Sequence, residues 1–197
     1  LGAAIELTSE DLKSYLFDGF DLLMIEGYLV QNHNLIMHAA KLAKSKNMKI
    51  AIDLASYNVV QDNIDFIKNL VKDYADIVFA NEEEAKAYTG KEPVEALNDI
   101  AEVCQIAVVK IGKNGSMIKS GGNIYNVGVI TAESVDTTGA GDLYASGFLY
   151  GLAKGLDLER CGKIGAVCSG NVIEVVGSKM DEARWAKIRT MIREIEK

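Results

Sequence analysis

An aspartate that follows a run of small residues, where a loop turns into a helix, concentrates the chemistry of this sequence. The segment is Asp136-Thr137-Thr138-Gly139-Ala140-Gly141-Asp142. Val127 to Val135 read as strand and then loop, and Leu143 to Ala153 read as helix, with Leu143, Phe148, Leu149 and Leu152 as its apolar members. A helix N-terminus carries unpaired N–H groups and about half a positive charge. Gly139, Ala140 and Gly141 have little or no side chain to hold a ligand away, so the N–H groups can close around an anion, most naturally a phosphate. Asp142 stands at the lip of that cradle. A carboxylate there repels a resting phosphate, so its use lies toward a second reactant: accepting a hydrogen bond from a hydroxyl that attacks phosphorus. The plainer alternatives are an aspartate that only offsets the helix dipole and a Gly-Ala-Gly that is only a tight turn.

A second pair of interest is Asn81 and Glu84 in Asn81-Glu82-Glu83-Glu84-Ala85. Three apart, they share one face of a helix. They offer hard oxygen ligands suited to a hydrated Mg²⁺. The same residues also read as an Asn N-cap on an acidic first turn.

The elements that must position these groups alternate. Residues 9 to 17 suit a short helix capped by Thr8 or Ser9. Leu22 to Ile25 is a strand ending at Glu26-Gly27-Tyr28, helix follows from about Asn34 to Lys46, and Lys49 to Ile52 is a second strand ending at Asp53. Residues 61 to 73 form another amphipathic helix, and Asp76 to Phe79 a third strand ending at Asn81. These strands are short continuous apolar runs with crossovers long enough for parallel pairing, the pattern of a sheet covered by helices on both faces. Pro93 opens a helix running to about Val103. Ile106 to Ile111 is a strand followed by Gly112-Lys113-Asn114-Gly115, a hairpin signal, and a second turn at Gly121-Gly122-Asn123 leads into Ile124 to Val129. This stretch is expected to form an antiparallel edge on a mainly parallel sheet. Glu159 to about Glu174 is a helix dense in small residues (Gly162, Gly165, Ala166, Ser169, Gly170), which suits close packing or a flat ring laid against the backbone. Asp181 to Ile195 is a terminal amphipathic helix assigned to packing.

The Asp-Thr-Thr-Gly-Ala-Gly-Asp run resembles the C-terminal signature of the PfkB, or ribokinase-like, carbohydrate and nucleoside kinases. Asn-x-x-Glu resembles that family's second hallmark and lies upstream of the first, as it does there. The resemblance implies a ribokinase-like α/β fold and ATP-dependent phosphorylation of an alcohol group on a sugar or nucleoside. It implies Asp142 as catalytic base, Gly139, Ala140 and Gly141 as the anion hole, and Asn81 and Glu84 organising Mg²⁺ through water. Lys110, Gly112 and Gly115 would lie on the nucleotide side, near the phosphates or ribose, and Ala166, Gly170 and Asn171 would wall the adenine. Val172 to Gly177 with Asp136 and Thr138 would form the monovalent-cation (K⁺) loop of some members. Asp53 falls at a strand end where the acceptor is expected. The family's Asp-x-Asn-x-Arg sugar-kinase pattern is not matched there, and Glu26-Gly27-Tyr28 is similar to adenosine-kinase-like members, so nucleoside and sugar acceptors both stay open. A non-catalytic paralogue on the same fold is the alternative; the presence of both Asp142 and Asn-x-x-Glu argues against it.

At 197 residues, the chain reads as one α/β domain. It opens on Leu1-Gly2-Ala3-Ala4 without an initiator Met or a leading strand. It is therefore expected to be the C-terminal nucleotide-binding part of a longer kinase, with the N-terminal lid and substrate portion absent. A net charge of −7 argues against a nucleic-acid partner. No apolar run reaches the roughly 18 residues of a membrane span. Cys104, Cys161 and Cys168 are scattered and read as reduced thiols in a cytoplasmic protein. A homodimer is left open. There is no Gly-x-x-x-x-Gly-Lys-Ser/Thr loop, no Gly-x-Gly-x-x-Gly fingerprint, no His-Glu-x-x-His and no Gly-x-Ser-x-Gly elbow. Mononucleotide binding thus falls to the Gly139 cradle.

Overall fold

Parallel strands joined by amphipathic helices build the first part of the chain in the computed structural model, which describes residues 2–197. Strands β1 (Leu22–Glu26), β2 (Lys49–Asp53) and β3 (Ile77–Asn81) pair in parallel, with Glu26 in register with Asp53 and Asp53 with Phe79. The strand ends Glu26, Asp53 and Asn81 therefore share the carboxyl edge of the sheet, where ligands of open α/β sheets are met. Three further strands, β4 (Ile106–Lys110), β5 (Ser116–Ser120) and β6 (Asn123–Val127), extend the sheet in sequence order. Their connections, 111–115 and 121–122, are too short for a parallel crossover, so this end of the sheet is a pair of hairpins, as expected.

Residue contacts divide the chain into two compact units. One runs to Val109 and includes Lys119–Asn123; the other comprises Lys110–Ile118 and Ile124–Lys197. In the first, helix α1 (His33–Ser45) is capped by Asn32, whose side chain accepts the Leu35 N–H, and it buries Leu35, Ile36, Ala39, Ala40 and Ala43. The expected helix over 61 to 73 is two helices, α2 (Tyr57–Asp62) and α3 (Ile64–Tyr74). Ser56 caps α2, and Asn63 breaks the run at φ −126°, ψ 24°, its side-chain amide donating to the Val59 carbonyl. A side chain that satisfies the last turn in this way competes with helix continuation. The expected helix over 9 to 17 is reduced to a 3-10 turn at Ser14–Phe17. There the Asp11 carboxylate accepts both the N–H and the hydroxyl of Thr8, so the would-be cap is held in a loop. Helix α4 (Glu82–Thr89) stops at Gly90 in the left-handed region, and α5 (Pro93–Ala101) starts with its proline at the first turn.

The second unit stacks α6 (Ala140–Ala153), α7 (Leu158–Val172) and α8 (Glu182–Glu196). Asp157 and Asp181 cap the last two. A Cβ on Gly147 would lie 2.8 Å from the Ile164 carbonyl, and one on Gly151 3.0 Å from Cys161, so α6 and α7 touch backbone to backbone. Ile164, Val167, Cys168, Val172, Met180 and Ile188 form the core of this unit. Each such aliphatic contributes about 1.5–3 kcal/mol by leaving water. A surface pair such as Lys163–Glu159, at 2.6 Å and half exposed, contributes only about 0.3–0.5 kcal/mol. Apolar burial therefore holds the unit together. Burial also pushes the thiols up, to about 12 for Cys104 and about 11 for Cys161 and Cys168, so they pack as small protonated residues. Among the described residues no helix is long and apolar enough to cross a membrane.

Candidate functional site

Helix α6 starts at Ala140, three residues earlier than the apolar pattern implies, because Gly139 sits at its N-cap in the left-handed region (φ 79°). That turn places four small or polar residues at the helix mouth. The Ala140 N–H is used by the Thr137 carbonyl and the Leu143 N–H by the Gly139 carbonyl. The N–H groups of Gly139, Gly141 and Asp142 have no hydrogen-bond partner among the described residues. Three unengaged amide donors thus lie at the positive end of the helix dipole. Lys110 adds a full positive charge: its Nζ would lie 3.1 Å from a Cβ placed on Gly141. Asp142 is solvent-exposed at the same turn, not turned against hydrophobic neighbours.

The approach loop is held by Asp136. Its Oδ1 accepts the Thr138 N–H at 2.9 Å and the Thr138 hydroxyl at 2.7 Å, while Oδ2 accepts the Gly177 N–H at 2.8 Å. The Gly177 N–H, then the two Thr138 donors, hold the Asp136 carboxyl below the usual carboxylate range. Val135 and Asp136 also donate their N–H groups to the Ile173 carbonyl, and Glu174 accepts the Glu133 N–H. Arg184 reaches Glu174 at 2.5 Å and the Asn171 carbonyl at 3.2 Å. The loops 131–139 and 173–178 are therefore one tied assembly, with Ser178 packed against Gly139. Nothing in the local sequence signals the Glu133–Glu174 and Asp136–Gly177 ties, whose partners lie 41 residues apart.

The residues considered for an adenine wall face inward in this conformation. Gly170 lies against Ile130, a Cβ there meeting its Cγ1 at 2.3 Å, and Asn171 is 0% exposed. The Asn171 amide nitrogen donates to the Val167 carbonyl, and its Oδ1 has no partner. Gly165 is packed against the ring and backbone of Tyr144, and Gly162 against the Ile118 and Val127 side chains. Gly115 is confined by its surroundings: at φ 93° a Cβ would fall 1.9 Å from the Val127 carbonyl. Gly112 lies in the exposed 3-10 turn before it. An apolar groove of about 400 Å³ between α6 and α8, lined by Leu143, Tyr150, Trp185, Ile188, Arg189 and Ile192 among others, includes none of residues 139–142.

In the first unit, Asn81 and Glu84 form a complete capping box. Asn81 Oδ1 accepts the Glu84 N–H at 2.8 Å, Glu84 Oε2 accepts the Asn81 N–H at 2.7 Å, and Asn81 Nδ2 donates to Glu84 Oε1 at 2.6 Å. Glu84 is only 3% exposed. Among the described residues no group of three or more His, Cys, Asp or Glu side chains gathers into a metal site. Such a sparse, oriented oxygen set fits Mg²⁺ that keeps most of its water, not an ion stripped by protein ligands. Asp53, buried at the end of β2, accepts the Ala55 N–H at 3.0 Å and steadies Ala55 at φ 65°. Gly27 lets β1 end against it, since a Cβ there would lie 2.5 Å from the Asp53 carbonyl.

Residues 1–183 match the pfkB family of carbohydrate kinases. A nucleoside kinase of Methanocaldococcus jannaschii is 31% identical over 162 residues, covering 78% of this chain and 53% of its own. Solved structures of a probable sugar kinase from Rhizobium etli (35% identical) and of adenosine kinase from Sinorhizobium meliloti (33% identical) superpose with TM-scores of 0.88. These alignments cover 95% and 94% of this chain and 59% of each of those chains. The chain thus spans little more than half the length of these relatives. The match over residues 1–183 makes this chain a member of the pfkB carbohydrate kinase family.

Proposed function

We propose that this chain is the nucleotide-side part of an ATP-dependent kinase that phosphorylates an alcohol group of a sugar or nucleoside. The observation that supports the reading is the pairing of an exposed carboxylate, Asp142, with unengaged amides at Gly139, Gly141 and Asp142 and the Lys110 ammonium nearby. The amides and Lys110 bind the terminal phosphoryl group and offset the charge that spreads over its oxygens in transfer. Asp142 accepts the hydrogen bond of the incoming hydroxyl and aims its oxygen. Because phosphoryl transfer is loose, the proton leaves late, and the main work of Asp142 is to aim the attacking oxygen. Gly112 and Gly115 let the 110–118 segment approach the nucleotide. Asn81 and Glu84 would hold Mg²⁺ through its waters, and the ion would supply charge neutralisation between the phosphates. Asp136 and Thr138, with the 172–177 loop, would hold a K⁺ ion beside the cradle. Asp53 faces the acceptor side. Relatives of both acceptor classes are similar to the same extent: a probable sugar kinase at 35% identity, an adenosine kinase at 33% and a nucleoside kinase at 31%.

The test is ADP release by the protein with MgATP, screened across nucleosides and simple sugars. Release that depends on one class of acceptor is expected. ADP release that no acceptor stimulates would overturn the assignment.

A further inference from the structure

Tyr144 sits two residues beyond Asp142, on the first turn of α6. Its phenol is buried (5% exposed) and lies 2.6 Å from the hydroxyl of Ser116, itself 1% exposed. Ser116 opens β5 and directly follows Gly115. On the other side of the same turn stands Lys110, whose Nζ reaches Gly141. The turn is closed by the Ile111 N–H bonded to the Gly115 carbonyl at 2.8 Å. One short hairpin thus meets one helical turn at two places, through the Ser116–Tyr144 hydrogen bond and through the approach of the Lys110 Nζ to Gly141.

We propose that Tyr144 is a positioning residue whose bond to Ser116 fixes where Lys110 stands over the Gly139–Asp142 cradle. The proposal rests on the kinase reading of that cradle. The ring has no other place to go. A Cβ on Gly165 would meet the Tyr144 carbonyl at 2.8 Å and its ring at 3.1 Å, and one on Gly162 would meet the phenol oxygen at 3.4 Å. Gly165 is therefore room made for this tyrosine, while Gly162 mainly makes room for Ile118 and Val127. The hairpin is equally confined, since Gly115 abuts the Val127 carbonyl. Two confined parts joined by a buried polar contact keep a fixed spacing. Burial pushes the phenol up to about 12, so it stays neutral and keeps a proton to share with Ser116 at ordinary pH.

The test uses Tyr144→Phe, which keeps the ring and removes the tether. By NMR, the NOE between the Lys110 side chain and the Gly141 α-protons should weaken at least twofold, and the Ser116 and Leu143 amides should exchange about tenfold faster. MgATP should bind about 3–10-fold more weakly, and that loss should vanish when Lys110→Met is already present. A purely structural role predicts a lower melting temperature with the NOE intact, or an ATP effect that adds to that of Lys110→Met; either overturns the proposal. Should Tyr144→Phe not fold, Tyr144→Phe/Ser116→Ala leaves no lone buried hydroxyl and answers the same questions. If the unaltered chain binds no ATP, the kinase reading fails, while the NOE and exchange still decide whether the tether sets Lys110.

Discussion

Replacing Gly139 with alanine isolates what the cradle costs the fold. The backbone there has φ 79°, a conformation that costs an L-residue about 1–2 kcal/mol. The new Cβ also falls 2.8 Å from the Ser178 Cβ. That atom is fixed to the 177–180 backbone, so the contact opens only if the loop moves by several tenths of an ångström. The two effects together should destabilise the protein by about 2 kcal/mol, near the middle of the range for a strained functional position. For a chain of this size that lowers Tm by about 4–8 °C, measurable by calorimetry. Removing the Ser178 side chain as well (G139A/S178G) should restore only the part due to the clash, leaving about 1–2 kcal/mol from φ. An unchanged Tm in G139A would mean that residue 139 is not held in the left-handed region. Full recovery in the double variant would show that crowding, not backbone strain, reserves the site for glycine.

Asp142→Asn should cut phosphoryl transfer at least about 100-fold while ATP still binds, as steady-state rates and calorimetric titration would show, because the amide places no carboxylate oxygen before the hydroxyl. Asn81→Ala removes the cap of α4 and the side-chain amide donor to the buried Glu84 carboxylate, so urea unfolding should show a loss of about 1–2 kcal/mol. The lowered carboxyl of Asp136 sets a pH window. Its bonds to Gly177 and Thr138 contribute fully above the unfolded value of about 3.9 and are lost as pH falls through the lower folded value. The Thr138 and Gly177 amide shifts should therefore titrate together below about pH 4, and Asp136→Asn should abolish that step. Glu174, held low first by Arg184 and then by the Glu133 N–H, should follow the same sign in the same acid range.

Much of the frame was legible because it is local. Apolar runs mark β1 to β4, and Pro93 marks the start of α5; the starts of α1 and α7 are read one residue late without their caps, Asn32 and Asp157, although these act within three residues. Asn81 and Glu84 illustrate the limit: the spacing permits a cap and a metal role alike, and the folded pair forms the cap with all three of its bonds. The errors also have local causes. Asn63 divides one expected helix into two by capping its own upstream turn, and Asp11 captures Thr8 before a helix can start. Gly139 moves the start of α6 ahead of the first apolar residue. What periodicity does not carry is long-range pairing. Asp136 with Gly177, and Tyr144 with Ser116, join residues 41 and 28 positions apart. The small residues of α7 suited either a ring ligand or close packing, and the Tyr144 ring and Ile130 fill them here.

The claim on which the rest depends is that the open amides of α6 grip a terminal phosphate. A ¹H–¹⁵N titration of the chain with MgATP and, separately, with AMP tests it directly. The account predicts that the Gly139, Gly141 and Asp142 amides shift downfield with ATP and stay put with AMP. Shifts confined to other parts of the chain, with those three amides unmoved, would contradict it.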